Sequence, residues 1–141
     1  MDANGHEQPD IIIVEGQGAI SHPAFTSTAA ILRGAVPDAI ILQHPPRRAV
    51  HCDYPGIPMP SLASEIALIE LFANSPVVAI TLNHEGMDDV EVTDTIAGYE
   101  AQYGLPVTDV LKAGCSKLVE RLYGVFPQLR EKALLACPPQ G

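Results

Sequence analysis

An α/β fold, a parallel sheet with flanking helices, is predicted for this chain by three observations. Three short apolar runs rich in β-branched residues, "DIIIVE" (residues 10–15), "DAIILQ" (38–43) and "VVAITLN" (77–83), read as strands. None alternates polar with apolar as a half-exposed strand would, so each is expected to be buried on both faces. Segments of helical character separate them, and strand, helix, strand, helix, strand is the order that builds a parallel sheet by right-handed crossovers.

The first helix is expected over "TSTAAILRGA" (26–35), with Gly34 near its end. The second, "SLASEIALIELFANS" (61–75), starts at Ser61, a residue suited to cap the first turn, and carries an apolar face through Leu62, Ile66, Ile69 and Leu71 with Phe72. Beyond Asn83, "MDDVEVTDTIAGYEAQYG" (87–104) reads as a helix stopped at Gly104. Its acidic opening, Asp88, Asp89 and Glu91, favours the positive end of the helix dipole. Further helices are expected at "CSKLVERLYGVF" and at "PQLREKALLA", where Pro127 suits a first turn. The proline-rich stretch from His44 to Pro60 reads as one long irregular loop, and such loops at strand ends often carry function. Repeats and low-complexity tracts are absent from this reading.

Seventeen acidic against eight basic residues give the 141-residue chain a net charge of −9. That balance argues against a nucleic-acid binder, which needs clustered Lys and Arg to neutralise phosphates. No apolar run approaches the roughly 20 residues of a membrane helix, and the N-terminal residues lack the pattern of a secretory signal, so a soluble cytoplasmic protein without membrane contact is expected. Cys52, Cys115 and Cys137 lie far apart and form no CxxC pair, which indicates neither a disulfide framework nor a zinc site.

In an open parallel sheet the ligand crevice lies outside the carboxyl ends of the strands. The three expected strands all end in polar residues, so Glu15, Gln17, His22, His44, Arg47, Asn83, His84 and Glu85 are expected to share one edge. In "VEGQG", Gly16 and Gly18 allow a sharp turn and close approach to a ligand, and Glu15 can hold a metal or accept a proton. The alternative is a plain strand-to-loop turn with a solvated Glu. The chain contains no G-x-x-x-x-G-K-[ST] loop, and its only lysines are Lys112, Lys117 and Lys132.

Taken together, "IIIVEGQGAISHPAF", "PDAIILQHPPRR", "VVAITLNHEG" and "YGLPVTDVLKAG" resemble the C-terminal domain of a bacterial and archaeal family of unknown function that includes the D-glutamate N-acetyltransferase of D-glutamate catabolism. The resemblance covers most of the chain. It implies a P-loop NTPase-like fold related to dethiobiotin synthetase, whose relatives carry a comparable "EGxGG" segment after a core strand. Members of that family are longer, with an N-terminal Rossmann-like domain and a Gly-rich phosphate loop upstream of the part seen here. Residues 1–141 are therefore expected to be one α/β domain, the later portion of a longer architecture.

Carried over residue by residue, the resemblance places Glu15 where it would reach a magnesium ion or the substrate. It places Gly16, Gln17 and Gly18 at a turn beside phosphates, and Asn83 near a nucleotide base. His22, His44 and Arg47 fall in matching loops. The implied activity is transfer of an acetyl group from acetyl-CoA to a small anionic amino acid, with Glu15 or His22 as base and Arg47 holding a substrate carboxylate. Two alternatives stand beside it: an ATP/magnesium-dependent ligase or kinase like dethiobiotin synthetase, and a catalytically inactive assembly module. The isolated chain is expected not to hydrolyse ATP, and to form homo-oligomers or to contact the N-terminal domain of the longer architecture.

Overall fold

The computed structural model describes residues 9–136. In chain order the elements are α1 (Ser27–Ala35), β1 (Ile40–His44), β2 (Val50–His51), β3 (Tyr54–Pro58), α2 (Leu62–Ala73), β4 (Val77–Leu82), α3 (Asp89–Tyr103), β5 (Val107–Thr108), α4 (Val110–Ala113), α5 (Ser116–Val125) and α6 (Pro127–Ala136). β1, β4 and β5 pair in parallel in that spatial order, with Leu42 opposite Ile80 and Ile80 opposite Val107. β4 is central and buried along its whole length. Its Ile80, fully enclosed at 0% exposure, meets Leu62 of α2, Val92 of α3 and Val107 of β5 in the core.

The two crossovers that bring the strands into register end in the same way. Glu70 of α2 accepts a hydrogen bond from the Val77 N–H at 2.8 Å, and Glu100 of α3 accepts one from the Val107 N–H at 3.0 Å. Each Glu is followed by a left-handed cap (Asn74 or Gly104), then a proline, then the first strand residue. The local sequences, E-L-F-A-N-S-P-V and E-A-Q-Y-G-L-P-V, thus share one spacing, a short recurrence within a chain that otherwise reads as free of repeats. Physically, the carboxylate satisfies a strand N–H that the helix-to-strand turn would otherwise leave without a partner.

α5 packs against β4 and β5. Its Arg121 donates to the Val78 carbonyl at 3.0 Å, and its Lys117 donates to the Val107 carbonyl at 2.8 Å while pairing with Glu100. Leu118 between them is buried. The charged heads serve backbone acceptors as the apolar side packs, the division of labour expected of long basic side chains.

The apolar run at residues 10–15 is not a strand, contrary to the expectation from its composition. Residues 11–14 carry no regular structure, and Ile13 is 84% exposed. A strand needs a neighbour to hydrogen-bond, and among the described residues none lies alongside; apolar, β-branched composition supplies propensity but no partner. On the outer side of the sheet, β1 likewise has no ladder partner among the described strands. The stretch from His44 to Pro60 is more ordered than expected, since β2 and β3 form an antiparallel ribbon within it. The short β5 and α4 are additions to the expected elements. The remaining helices stand where expected: Ser61 caps α2, Asp88 and Glu91 form a capping box on α3, and Pro127 opens α6. Cys52 and Cys115 are free and exposed, and Cys137 lies outside the described residues.

Two outcomes are expected. Ile80→Ala should lower the unfolding free energy by about 2–5 kcal/mol in urea melts. Val36, the C-cap of α1, sits at φ 47°, a left-handed backbone that a β-branched residue adopts only under strain. Val36→Gly should therefore raise stability by about 1 kcal/mol in the same measurement, and a loss would contradict the assignment of strain.

Candidate functional site

The carboxyl ends of β1 and β4 open onto a cleft of about 560 Å³. One wall is the segment from Val14 to Ala19; the opposite wall is β1 with His44 and Pro45 at its tip; α1 and α2 supply the apolar floor. Asn83, the residue after β4, and Arg48 complete the rim.

The turn at residues 16–18 is built locally. Gly18 has φ +78°, and a Cβ there would lie 3.3 Å from the Phe25 Cβ, so both conformation and space ask for glycine. Thr28, buried on α1, donates its hydroxyl to the carbonyls of Gln17 and of Gly18, the latter at 3.0 Å. The loop is thus tied to the first turn of a helix rather than to a sheet.

His22 lies just behind this turn, 9% exposed. Its Nδ1 accepts from the N–H groups of Ala24 and Phe25, each at 3.2 Å. Its ring stacks on Phe25 at 4.3 Å and meets the His51 ring edge-on at 4.5 Å. The neutral ring therefore carries its proton on Nε2, and the residue joins the 19–25 turn to the β2–β3 ribbon. It is not among the residues lining the cleft.

At the rim, His44 packs near Tyr99 with ring centroids 5.9 Å apart, and burial holds its imidazole below the usual histidine range. Arg47 forms an ion pair with Glu91 and does not line the cleft. Its neighbour Arg48 does, paired with Glu85 and donating to the Cys52 sulfur at 3.1 Å; the hydrogen bond to Glu85 holds the guanidinium in its charged form. Asn83 turns its side-chain oxygen to the Glu85 N–H at 3.1 Å. The structure therefore gathers Glu15, Gly16, Gln17, Gly18, His44 and Asn83 around one cleft and leaves His22 and Arg47 outside it.

Three further residues build the site, and only Arg48, as half of the chain's one adjacent basic pair, stands out in the sequence. Two are Thr28 and Arg48. The third, Glu65, sits between Leu62 and Ile69 on the buried face of α2, lines the cleft, and has a buried Oε2 without a hydrogen-bond partner among the described residues. A carboxylate in an apolar helix stripe is the available signal, because burial of such a group is unfavourable unless an occupant satisfies it.

On the same edge, one residue past Asn83, His84 Nδ1 lies 2.5 Å from Oδ2 of Asp109, the residue that follows β5. Asp109 is 1% exposed, and its other oxygen accepts from the Leu111 and Lys112 N–H groups at 3.0 and 3.3 Å, capping α4.

Of the groups that hold a magnesium nucleotide, the described residues supply two carboxylates at the cleft, Glu15 and Glu65, and no lysine beside them. All three lysines are engaged in ion pairs away from the cleft, with Asp89, Glu100 and Asp10. Among the described residues no three His, Cys, Asp or Glu side chains gather as a metal site.

A parallel α/β domain with a cleft at its strand tips is the class that fold and site define. Residues 1–119 match a domain of unknown function described as a P-loop domain, DUF1611, and the chain belongs to that family. It is 32% identical over 119 residues to a D-glutamate N-acetyltransferase of Tritonibacter scottomollicae, covering 80% of this chain and 36% of the relative. It is 29% identical over 117 residues to a D-glutamate N-acetyltransferase of a Pseudoalteromonas species, covering 78% and 35%. A crystal structure of a DUF1611 family protein from Anabaena variabilis superposes with a TM-score of 0.73 at 33% identity, over 78% of this chain and 34% of that one. The chain thus spans about a third of the length of these relatives. Among the described residues no helix is long and apolar enough to cross a membrane.

Two measurements probe the site's construction. Thr28→Val removes the donor that holds the 16–18 turn and should cost about 1–2 kcal/mol of stability. The unfolded chain, with His44 near 6.5, binds more protons than the folded chain below that pH. His44 therefore leaves stability intact above about pH 6.5 and diminishes it as pH falls toward the lowered folded value. Thermal melts of His44→Gln should show a flatter decline between about pH 6.5 and 5 than the wild type; equal slopes would contradict this.

Proposed function

We propose that the chain is the α/β domain of a D-glutamate N-acetyltransferase-like enzyme, acting in acetyl transfer from acetyl-CoA to a small anionic amino acid. The observation that carries this reading is the likeness to two relatives of that name, coinciding with a cleft whose rim bears groups of both signs. An amino acid with two carboxylates and one ammonium needs that mixture. In this reading Arg48 and His44 receive a substrate carboxylate, and Glu15 faces them across the cleft. Asn83 and the N–H groups of the 16–18 turn are donors for the thioester carbonyl oxygen as it gains charge. His22 supports the turn, and Arg47 reaches the substrate only by leaving Glu91.

The acidic balance of the chain repels anions at long range, so recognition depends on such local positive groups. An ATP-dependent ligase or kinase receives no support from the three lysines, all of which are paired elsewhere. An assembly role does have a specific observation in its favour: residues 11–14 are exposed and apolar, and β1 is open along its outer side among the described strands. Unpaired strand edges of this kind pair with other chains.

Thiol release from acetyl-CoA in the presence of D-glutamate tests the reading directly. Turnover should be detected with the wild type, and Arg48→Ala should raise KM about tenfold or more, as expected for loss of a charge-assisted contact worth about 1.5–3 kcal/mol. No release above background would overturn it. The chain should show no magnesium-dependent ATP hydrolysis; phosphate release abolished by Glu15→Gln would favour the ligase alternative. Light scattering should report species larger than the 15.0 kDa monomer, reduced by Ile13→Lys.

A further inference from the structure

His84 and Asp109 are each the first or second residue beyond a strand tip, on β4 and β5, and adjacent parallel strands bring them together. Asp109 is fixed twice over. It is 1% exposed, and its Oδ1 holds two backbone N–H groups of α4, leaving Oδ2 aimed at His84 Nδ1 at 2.5 Å. The His84 side chain is 33% exposed. A buried carboxylate on one imidazole nitrogen and partial solvent access to the ring constitute an oriented base, because the carboxylate fixes the tautomer with Nε2 as the free acceptor. The charged groups that face this ring are Asp109 and Asp89 of α3, which is itself paired with Lys112 of α4; the sequence neighbour Glu85 is paired with Arg48. The pair stands next to Asn83 on the cleft rim, although neither of its members lines the cleft wall.

We propose that His84, positioned by Asp109, is a general base at the carboxyl edge of the sheet. Resting on the acetyl-transfer reading, its work is proton removal from the substrate amine. Nε2 takes one proton from the ammonium and passes it to solvent, so that the amine lone pair attacks the thioester carbonyl carbon. As the C–N bond forms, the attacking nitrogen yields a second proton to Nε2. The C–S bond then breaks, and the imidazolium gives this proton to the leaving thiolate. The products are the N-acetyl amino acid, the free thiol and one proton released. As a class, imidazoles suit this task better than carboxylates, since their ordinary proton affinity lies nearer to neutral pH.

Two readouts on the whole chain test this. In the first, carbethoxylation by diethyl pyrocarbonate is followed by peptide mass spectrometry. His84 should be the fastest-reacting histidine among the described residues, and Asp109→Asn, which keeps a helix-capping side chain, should slow it several-fold at neutral pH. Thermal melts check that the variant is folded. In the second, the pH profile of kcat for D-glutamate acetylation should have a rising limb that His84→Gln removes, with kcat falling about 10²–10⁴-fold and KM little changed.

If His84→Gln retains both rate and rising limb, or if reactivity is indifferent to Asp109→Asn, His84 merely completes the helix cap and the proposal is overturned. If the wild type transfers no acetyl group yet His84 shows the Asp109-dependent reactivity, the acetyl-transfer reading fails and the base stands. Wild-type turnover with unaltered His84→Gln kinetics does the reverse: acetyl transfer stands and the base falls.

Discussion

The parallel pairing of β4 with β1 on one side and β5 on the other is the constraint on which the molecule depends. Because β4 is buried along all six residues, it must be flanked on both faces and on both edges, and each demand recruits a neighbour. α2 and α3 supply core side chains and, through Glu70 and Glu100, the acceptor for the first N–H of the following strand. α5 supplies Arg121 and Lys117 to carbonyls of β4 and β5. Parallel direction then has a consequence that no single side chain dictates. His44, Asn83, His84 and Asp109 emerge on one edge, although 65 residues of chain separate the first from the last.

That edge is electrostatically restrained. Arg47 and Arg48, the only adjacent basic pair in an acidic chain, are each held by a glutamate from the region following β4, Glu91 and Glu85. Such exposed pairs contribute little to stability. They do hold the β1 loop against the start of α3, and they keep cations beside the cleft that an anionic ligand can engage by exchange of partners. Two buried carboxylates, Asp109 and Glu65, differ in kind. Both oxygens of Asp109 are engaged, whereas Oε2 of Glu65, beside the cleft, has no hydrogen-bond partner among the described residues.

Much of this is legible in the residues. Strands at 38–43 and 77–83, the Ser61 and Asp88 caps, the stop at Gly104 and the meeting of polar strand tips follow from periodicity, capping chemistry and parallel topology. Burial on both faces holds for β4 alone, since β1, with no ladder partner on its outer side among the described strands, alternates half-buried and exposed residues and leaves Ile41 39% exposed. The family likeness is visible in short strings such as "VEGQG". What is not legible depends on partners. The run at 10–15 has the composition of a strand but none beside it among the described residues, and β5 is two residues long, too short to show a period, so nothing marks Asp109 as a strand tip. His22 reads like any loop histidine until the folded chain surrounds it with Phe25, His51 and Tyr54. Thr28 is a helical threonine whose purpose lies ten residues away.

The central claim is that the cleft between residues 14–19 and the strand tips is where substrate binds. Its most direct test is a titration of the ¹⁵N-labelled chain with D-glutamate, followed by amide chemical shifts. The largest changes are expected on Gly16, Gln17, Gly18, His44, Arg48 and Asn83, which line one space. Saturable shifts confined to another surface, with those six amides unmoved, would contradict it.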